Sequence, residues 1–122
     1  MPPINVLEGQ VADGVVAGDG FSFPVSPGMR GLERGQRVLV GFRPEDAQIN
    51  QNGEGARTAV TLIEPMGSTT ILYAQLAGKL VALETDKATQ LRAGAQIAVA
   101  VARERLHFFD PATGLAISNA AT

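Results

Sequence analysis

The sequence predicts an all-β domain, closed into a small barrel and built from two similar β-halves. Three observations carry that prediction. First, Leu32–Glu45 and Leu91–Glu104 share one pattern about 59 residues apart: a leucine, a turn glycine (Gly35, Gly94), an alternating β-branched run and a closing glutamate. Second, short alternating runs recur at hairpin spacing between Gly, Pro, Asn and Asp clusters, which leaves little room for helix. Third, the hydrophobic fraction is 45% while aromatics make up only 5%, so Val, Ala, Leu and Ile must fill the core, and these suit tightly packed strands. Closure would remove the exposed edges that so many short strands present, so an OB-fold-like barrel is expected. A Greek-key sandwich is the structural alternative.

Each element follows from local chemistry. Val11–Val16 and Phe21–Val25 read as a strand pair, with Gly18-Asp19-Gly20 tolerating the positive φ of a tight turn. Pro24 cannot donate to a ladder, so it belongs on an edge or at a strand end. Gln36–Phe42 is a third strand, which Arg43-Pro44 ends by removing the next amide donor. Asn50–Gly55 is polar and glycine-rich and marks the joint between halves, near residues 50–57. Thr58–Glu64, Thr69–Leu76 and Lys79–Glu84 form two successive hairpins, punctuated by Pro65–Ser68 and Ala77-Gly78. The turns at Gly18–Gly20 and Ala77–Lys79 occupy the same place in each half, allowing a one-residue slip. Thr85–Gly94 has a capping residue and a terminal glycine and holds at most two turns of helix. Gln96–Ala102 and Leu106–Phe109 close the domain, and Asp110–Gly114 turns the chain.

Length and charge limit what the protein can do. A chain of 122 residues fits one domain, with a core expected over about 5–117. The net charge of -2, with both signs interspersed, gives no attraction for a polyanion, which disfavours nucleic acid. The absence of cysteine excludes disulfides, thiolate nucleophiles and zinc–cysteine sites. No apolar run reaches the roughly 20 residues a membrane helix needs, and Met1–Asn5 does not begin an export signal.

Catalytic chemistry finds no constellation. His107 is the only histidine and lies beside Phe108-Phe109, where a half-buried strand residue is the simplest reading. Glu45, Asp46 and Glu104 sit at matching points of the repeat, next to Arg43, Arg103 and Arg105. Solvated ion pairs explain them better than acid–base or metal work. Gly14, Gly18 and Gly20 lack the lysine and helix of a phosphate loop, and Gly67–Thr70 reads as an ordinary turn. Phe21, Phe23, Phe108 and Phe109 alternate as core residues do, although base-stacking platforms use a similar spacing.

Three segments in order resemble a known family: Gly41-Phe42-Arg43-Pro44-Glu45-Asp46, then Val60–Ser68 with its Glu64-Pro65-Met66-Gly67-Ser68, then Leu106–Gly114 with its Phe109-Asp110-Pro111. The chain is similar, from Asn5 to Ile117, to the transport-associated OB (TOBE) domain that ends the ATP-binding subunits of carbohydrate and glycerol-phosphate ABC importers. The resemblance implies one such domain over residues 1–122, following a nucleotide-binding domain in the parent subunit, with Met1 added or fortuitous. It implies no catalysis, cofactor or metal on this chain, because the Walker and signature motifs are missing and ATP and Mg belong to the nucleotide-binding domain. It implies a cytoplasmic location at the membrane through the transporter, and pairing into a homodimer. Further partners would be the chain's own nucleotide-binding domain, through it the permease, and a regulatory protein. Arg43, Glu45, Arg105 and His107, at the repeated turns, are the candidate interface residues. Two alternatives stand beside it. A molybdate-type oxyanion-binding domain uses a related barrel, although the Ser-Ala-Arg-Asn stretch of that family is missing here, and a nucleic-acid-binding OB domain is opposed by charge.

Overall fold

A computed structural model describes residues 4–25, 32–51, 53–86 and 89–117. The strands are β1 (Asn5–Ala12), β2 (Val15–Gly18), β3 (Phe21–Pro24), β4 (Arg37–Phe42), β5 (Ala47–Asn50), β6 (Ala56–Pro65), β7 (Thr69–Leu76), β8 (Lys79–Asp86), β9 (Gln96–Val101) and β10 (His107–Phe109). Two short 3-10 turns, η1 (Pro44–Asp46) and η2 (Arg103–Arg105), follow β4 and β9. The strands form two five-stranded antiparallel sheets, ordered β10-β4-β1-β2-β3 and β5-β9-β6-β7-β8.

These orders place the repeat in space. Each half runs through four strands and a 3-10 turn, and its last strand then crosses into the other half's sheet. Thus β5 pairs with β9, and β10 pairs with β4. The registers match: Gln48 faces Ala100 as His107 faces Gly41, and Ile49 faces Val99 as Phe108 faces Val40. The turns before β4 and β9 repeat bond for bond. Gly35 N–H donates to Val11 O at 2.8 Å and Val11 N–H to Gln36 O at 2.8 Å; Gly94 donates to Val60 O at 2.7 Å and Val60 to Ala95 O at 2.9 Å. Both glycines adopt left-handed backbone, φ +85° and +91°, which a β-carbon would strain.

One hydrophobic cluster lies between the sheets. Leu7, Val40 and Phe42 from the first sheet and Leu72, Leu83, Ile97 and Val99 from the second are completely buried within it. The Phe23 and Phe42 rings meet edge to face at 5.8 Å. Phe21, Phe23 and Phe108 are buried, so the core reading holds for these three, while Phe109 is only half-buried.

Closure is where the expectation fails. Neither sheet closes into a barrel, because β10, β3, β5 and β8 remain unpaired ends of the two strand orders. Closure is one answer to exposed edges, but local blocking is another. The segment after β10 turns back on it: Ile117 N–H donates to Phe108 O at 2.8 Å, and Phe109 bridges Ala116. Edge strand β3 ends on Pro24, which has no donor. Edge strand β8 is covered by η1 and by the Asn5 side chain. The carboxamide of Asn5 donates to Ala82 O and accepts from Ala82 N–H, both at 2.8 Å and both buried. A single side chain thus replaces a neighbouring strand for one residue of the edge.

Three further corrections concern elements. Val11–Val16 is not one strand but the end of β1, an Asp13-Gly14 turn with Gly14 at φ +70°, and the start of β2. Ala47–Asn50 is a strand the polar alternation concealed. The helix expected over Thr85–Gly94 does not form: Thr85 and Asp86 finish β8 and Thr89–Gly94 is not helical, while residues 87 and 88 lie outside the described residues.

Candidate interaction surface

The candidate residues sit where the halves exchange strands. Pro44 fixes φ at the first position of η1, and Asp46 N–H closes that turn on Arg43 O at 3.0 Å. In η2, which has no proline, Arg105 N–H closes on Ala102 O at 2.8 Å. Arg43, Glu45, Arg105 and His107 are all exposed, so the half-buried reading of His107 is wrong. Its strand partner is Gly41, against which the Phe109 and Ile4 side chains pack closely.

Asp46 and Arg105 are equivalent positions of the repeat, yet they carry opposite charges and face each other at 3.9 Å. Equivalent positions can meet only close to the axis that relates the halves, so this ion pair marks that axis. Arg105 is 67% exposed while Asp46 is only 16% exposed, so the pair is open to solvent on the arginine side, and at 3.9 Å it is a long contact of small energy. Arg103 and Glu104 form a second exposed pair at 3.5 Å. The solvated ion-pair reading of these carboxylates describes Glu104; Asp46 is paired but largely buried, and among the described residues Glu45 enters no ion pair. Among the described residues, Arg43, Glu45 and His107 share no side-chain bond with one another, and of the four only Arg105 enters an ion pair.

Among the described residues no group of His, Asp and Glu could hold a metal ion, and no buried side-chain donor or acceptor is left unpaired. Among the described residues, no helix is long and apolar enough to cross a membrane. Tyr73 is held above its ordinary value of 10.0, first by desolvation and then by its hydrogen bond to, and the charge of, Glu64. The Tyr73 hydroxyl donates to Glu64 Oε1 at 3.1 Å.

Sequence reasoning missed two features. The Asn5–Ala82 clamp has no sequence signal, because its partners are 77 positions apart. The exposed Leu62 and Leu80 were visible only as strand residues, and they stand out once the halves are aligned by their turns.

Comparison with known proteins agrees with the geometry. A family model described as the TOBE domain matches residues 40–109, and one described as the MalK OB fold domain matches residues 1–47. An ATP-binding protein of Brucella abortus (strain 2308) is 34% identical over 115 residues, 93% of this chain and 32% of that protein. The sn-glycerol-3-phosphate import ATP-binding protein UgpC 2 of Agrobacterium fabrum is 35% identical over 89 residues, covering 73% of this chain and 24% of the relative. The xylose/arabinose import ATP-binding protein XacK of Haloferax volcanii is 29% identical over 126 residues, 97% of this chain and 33% of the relative. The chain thus spans a third or less of the length of these relatives. Among solved structures, the cytoplasmic molybdate-binding protein ModG superposes with a TM-score of 0.71 at 15% identity, over 88% of this chain and 96% of that one. At that identity the likeness is one of fold.

Proposed function

The chain belongs to the TOBE-domain family, and from that premise we propose that it is the regulatory and dimerisation domain at the carboxy-terminal end of an ABC importer's ATP-binding subunit. Its cargo class is sugars, polyols or glycerol phosphate. The observation that carries this reading is the tandem match of the two family descriptions, together with import ATP-binding proteins among the relatives. The domain is a non-catalytic one. ATP hydrolysis belongs to the nucleotide-binding domain that precedes it in the parent subunit, and cytoplasmic placement against the membrane follows from the permease to which that domain binds.

A homodimer contact of two-fold symmetry needs a patch that is complementary to itself, with each charge able to meet its opposite. The ends of η1 and η2 expose both signs, Arg43 and Arg105 against Glu45, with exposed His107 opening the next strand. Sedimentation equilibrium over a concentration series tests the pairing. The wild-type chain should show mass rising toward the dimer, and Arg43→Glu with Arg105→Glu should shift the midpoint to higher concentration. A mass that stays monomeric throughout, or a charge-reversed variant that pairs as well as wild type, would count against this surface. The oxyanion alternative rests on fold likeness, and tight stoichiometric uptake of molybdate in calorimetry would favour it instead.

A further inference from the structure

We infer that the outer face of β1 and β4 carries a small-molecule site that takes a neutral polyol, a monosaccharide or a sugar alcohol. A groove of about 250 Å³ lies there, bounded by Glu8, Gln10, Ala17, Arg37, Leu39 and Pro111. That is just below the roughly 300–1,000 Å³ of pockets that hold drug-sized molecules, so it suits a small one. Glu8, Gln10 and Arg37 are exposed and alternate with the buried Leu7, Val11 and Val38, so all three reach outward from the sheet. The inference deepens the importer reading, on which its physiological sense rests: a molecule of the cargo class is sensed on the regulatory domain itself.

The repeat supplies a control. Glu8 faces Leu39 and Gln10 faces Arg37, as Arg57 faces Ala98 and Ala59 faces Gln96 in the other half. The same ladder forms with Arg57, Ala59 and Gln96 at these places, so folding does not require the carboxylate, carboxamide and guanidinium found here. Nor do the two charges serve each other. Glu8 and Arg37 stand diagonally across the strands, within reach of a side-chain contact, yet among the described residues neither enters an ion pair. Opposite charges that share a groove and stay apart leave both free for a ligand.

Hydrogen bonding selects the occupant. The Gln10 Nε2 donates to Gly35 O at 2.9 Å, which leaves Oε1 as the atom free to accept. The groove thus offers acceptors at Glu8 and Gln10 and donors at Arg37, around the half-buried Leu39 and Ala17. A polyol matches that set, because each hydroxyl both donates and accepts while its C–H face packs on the apolar floor. Charge turns other small solutes away: Glu8 opposes a phosphate or another oxyanion, and Arg37 opposes an amine. An α-amino acid holds both its charges on one carbon, whereas Glu8 and Arg37 leave the ladder about 7–8 Å apart and do not meet. One wall is preformed, since Pro111 sits in a turn that Asp110 fixes: its carboxylate accepts from Ala112 N–H and its carbonyl from Gly114 N–H, both at 2.7 Å.

The test titrates the isotope-labelled chain with D-xylose, D-glucose, sorbitol, sn-glycerol-3-phosphate and leucine. Amide shifts at Gly9, Gln10 and Leu39 should saturate with xylose, glucose or sorbitol, at an affinity at least about ten-fold above that for glycerol phosphate or leucine. Arg37→Ala should weaken that binding at least about ten-fold. Glu8→Gln should keep the polyol and admit glycerol phosphate, since a carboxamide still bonds hydroxyls and no longer repels the phosphate. Both positions are exposed, so the rest of each spectrum should stay unchanged. No saturation by any of the polyols, or shifts confined to other strands, would overturn the inference. So would tighter binding of glycerol phosphate or leucine, which would assign the groove to an anion or a zwitterion. The sedimentation test reads a different surface, η1 and η2, so the site and the importer reading fail separately.

Discussion

The two halves share a backbone plan and differ in what they leave exposed. In the first, β2 and β3 are four residues each and the corresponding positions hold Ala12, Val15 and Ser22; in the second, β7 and β8 are eight residues each, and Leu62 of β6, Tyr73 of β7 and Leu80 of β8 take those places with larger side chains. The edges differ as well. Ala82 of β8 is clamped by Asn5, whereas the matching position in β3 is Pro24, which has no N–H to clamp. Position 54, which stands where Asn5 does in the other half, is a glutamate lining a groove beside Pro24. Shared features are therefore scaffold, and unshared ones are either joints or contact surfaces.

Substitutions can break that comparison, beginning with the core. Leu7 occupies the place held in the second half by Ala56, because Leu7 faces Val40 as Ala56 faces Val99. Leu7→Ala imitates the other half, yet it should cost about 2–5 kcal/mol in urea unfolding, because the leucine is fully buried and its neighbours are shaped around it. A cost below about 1 kcal/mol would mean that the halves are interchangeable in their packing.

The clamp comes next. Asn5→Ala leaves the edge N–H and C=O of Ala82 without their partner and should cost about 1–3 kcal/mol, while Glu54→Ala should stay within about 0.5 kcal/mol. Thermal unfolding of the two variants side by side measures the asymmetry. For the shared turns the expectation is symmetry: Gly35→Ala and Gly94→Ala should each cost about 1–2 kcal/mol, since both impose a β-carbon on left-handed backbone in otherwise open space.

The smallest effects lie at the surface. Arg105→Ala should change stability by less than about 1 kcal/mol, given its exposure, even though its partner Asp46 marks the axis between halves. Tyr73 is the only tyrosine and there is no tryptophan, so its phenol can be titrated by absorbance alone. Its midpoint should lie above 10.0, and Glu64→Gln should lower it without fully restoring the ordinary value, because desolvation is the larger cause. A raised folded value means that the folded state holds this proton more tightly. The corresponding stability is present below pH 10.0 and is lost as pH rises through the folded value.

Much of this architecture was legible in the residues. The repeated leucine–glycine–strand–glutamate pattern located β4, β9 and the glycine turns before them, because a left-handed glycine before a strand is a local requirement; the 3-10 turns after them were not expected. Closure was not legible, since a blocked edge and a paired edge are written with similar strand sequences. Pro24 and the tail that returns to β10 do the blocking here. Strand β5 escaped notice because Gln48 and Asn50 alternate with only two apolar residues, and its place depends on β9, far along the chain. The turn residues Arg43, Glu45, Arg105 and His107 could be named from the repeat. Asn5 could not, because its role exists only after the sheets meet.

The exchanged strands β5 and β10 make the two halves into one rigid support for surface contacts. Native-state amide hydrogen exchange over a denaturant series tests this most directly. Phe108 in β10 and Ile49 in β5 should exchange through the same opening as Val40 and Val99, the residues they face, with a common free energy and denaturant dependence. Separate openings, with β1–β4 losing protection at one free energy and β6–β9 at another, would show two independently unfolding halves and contradict it.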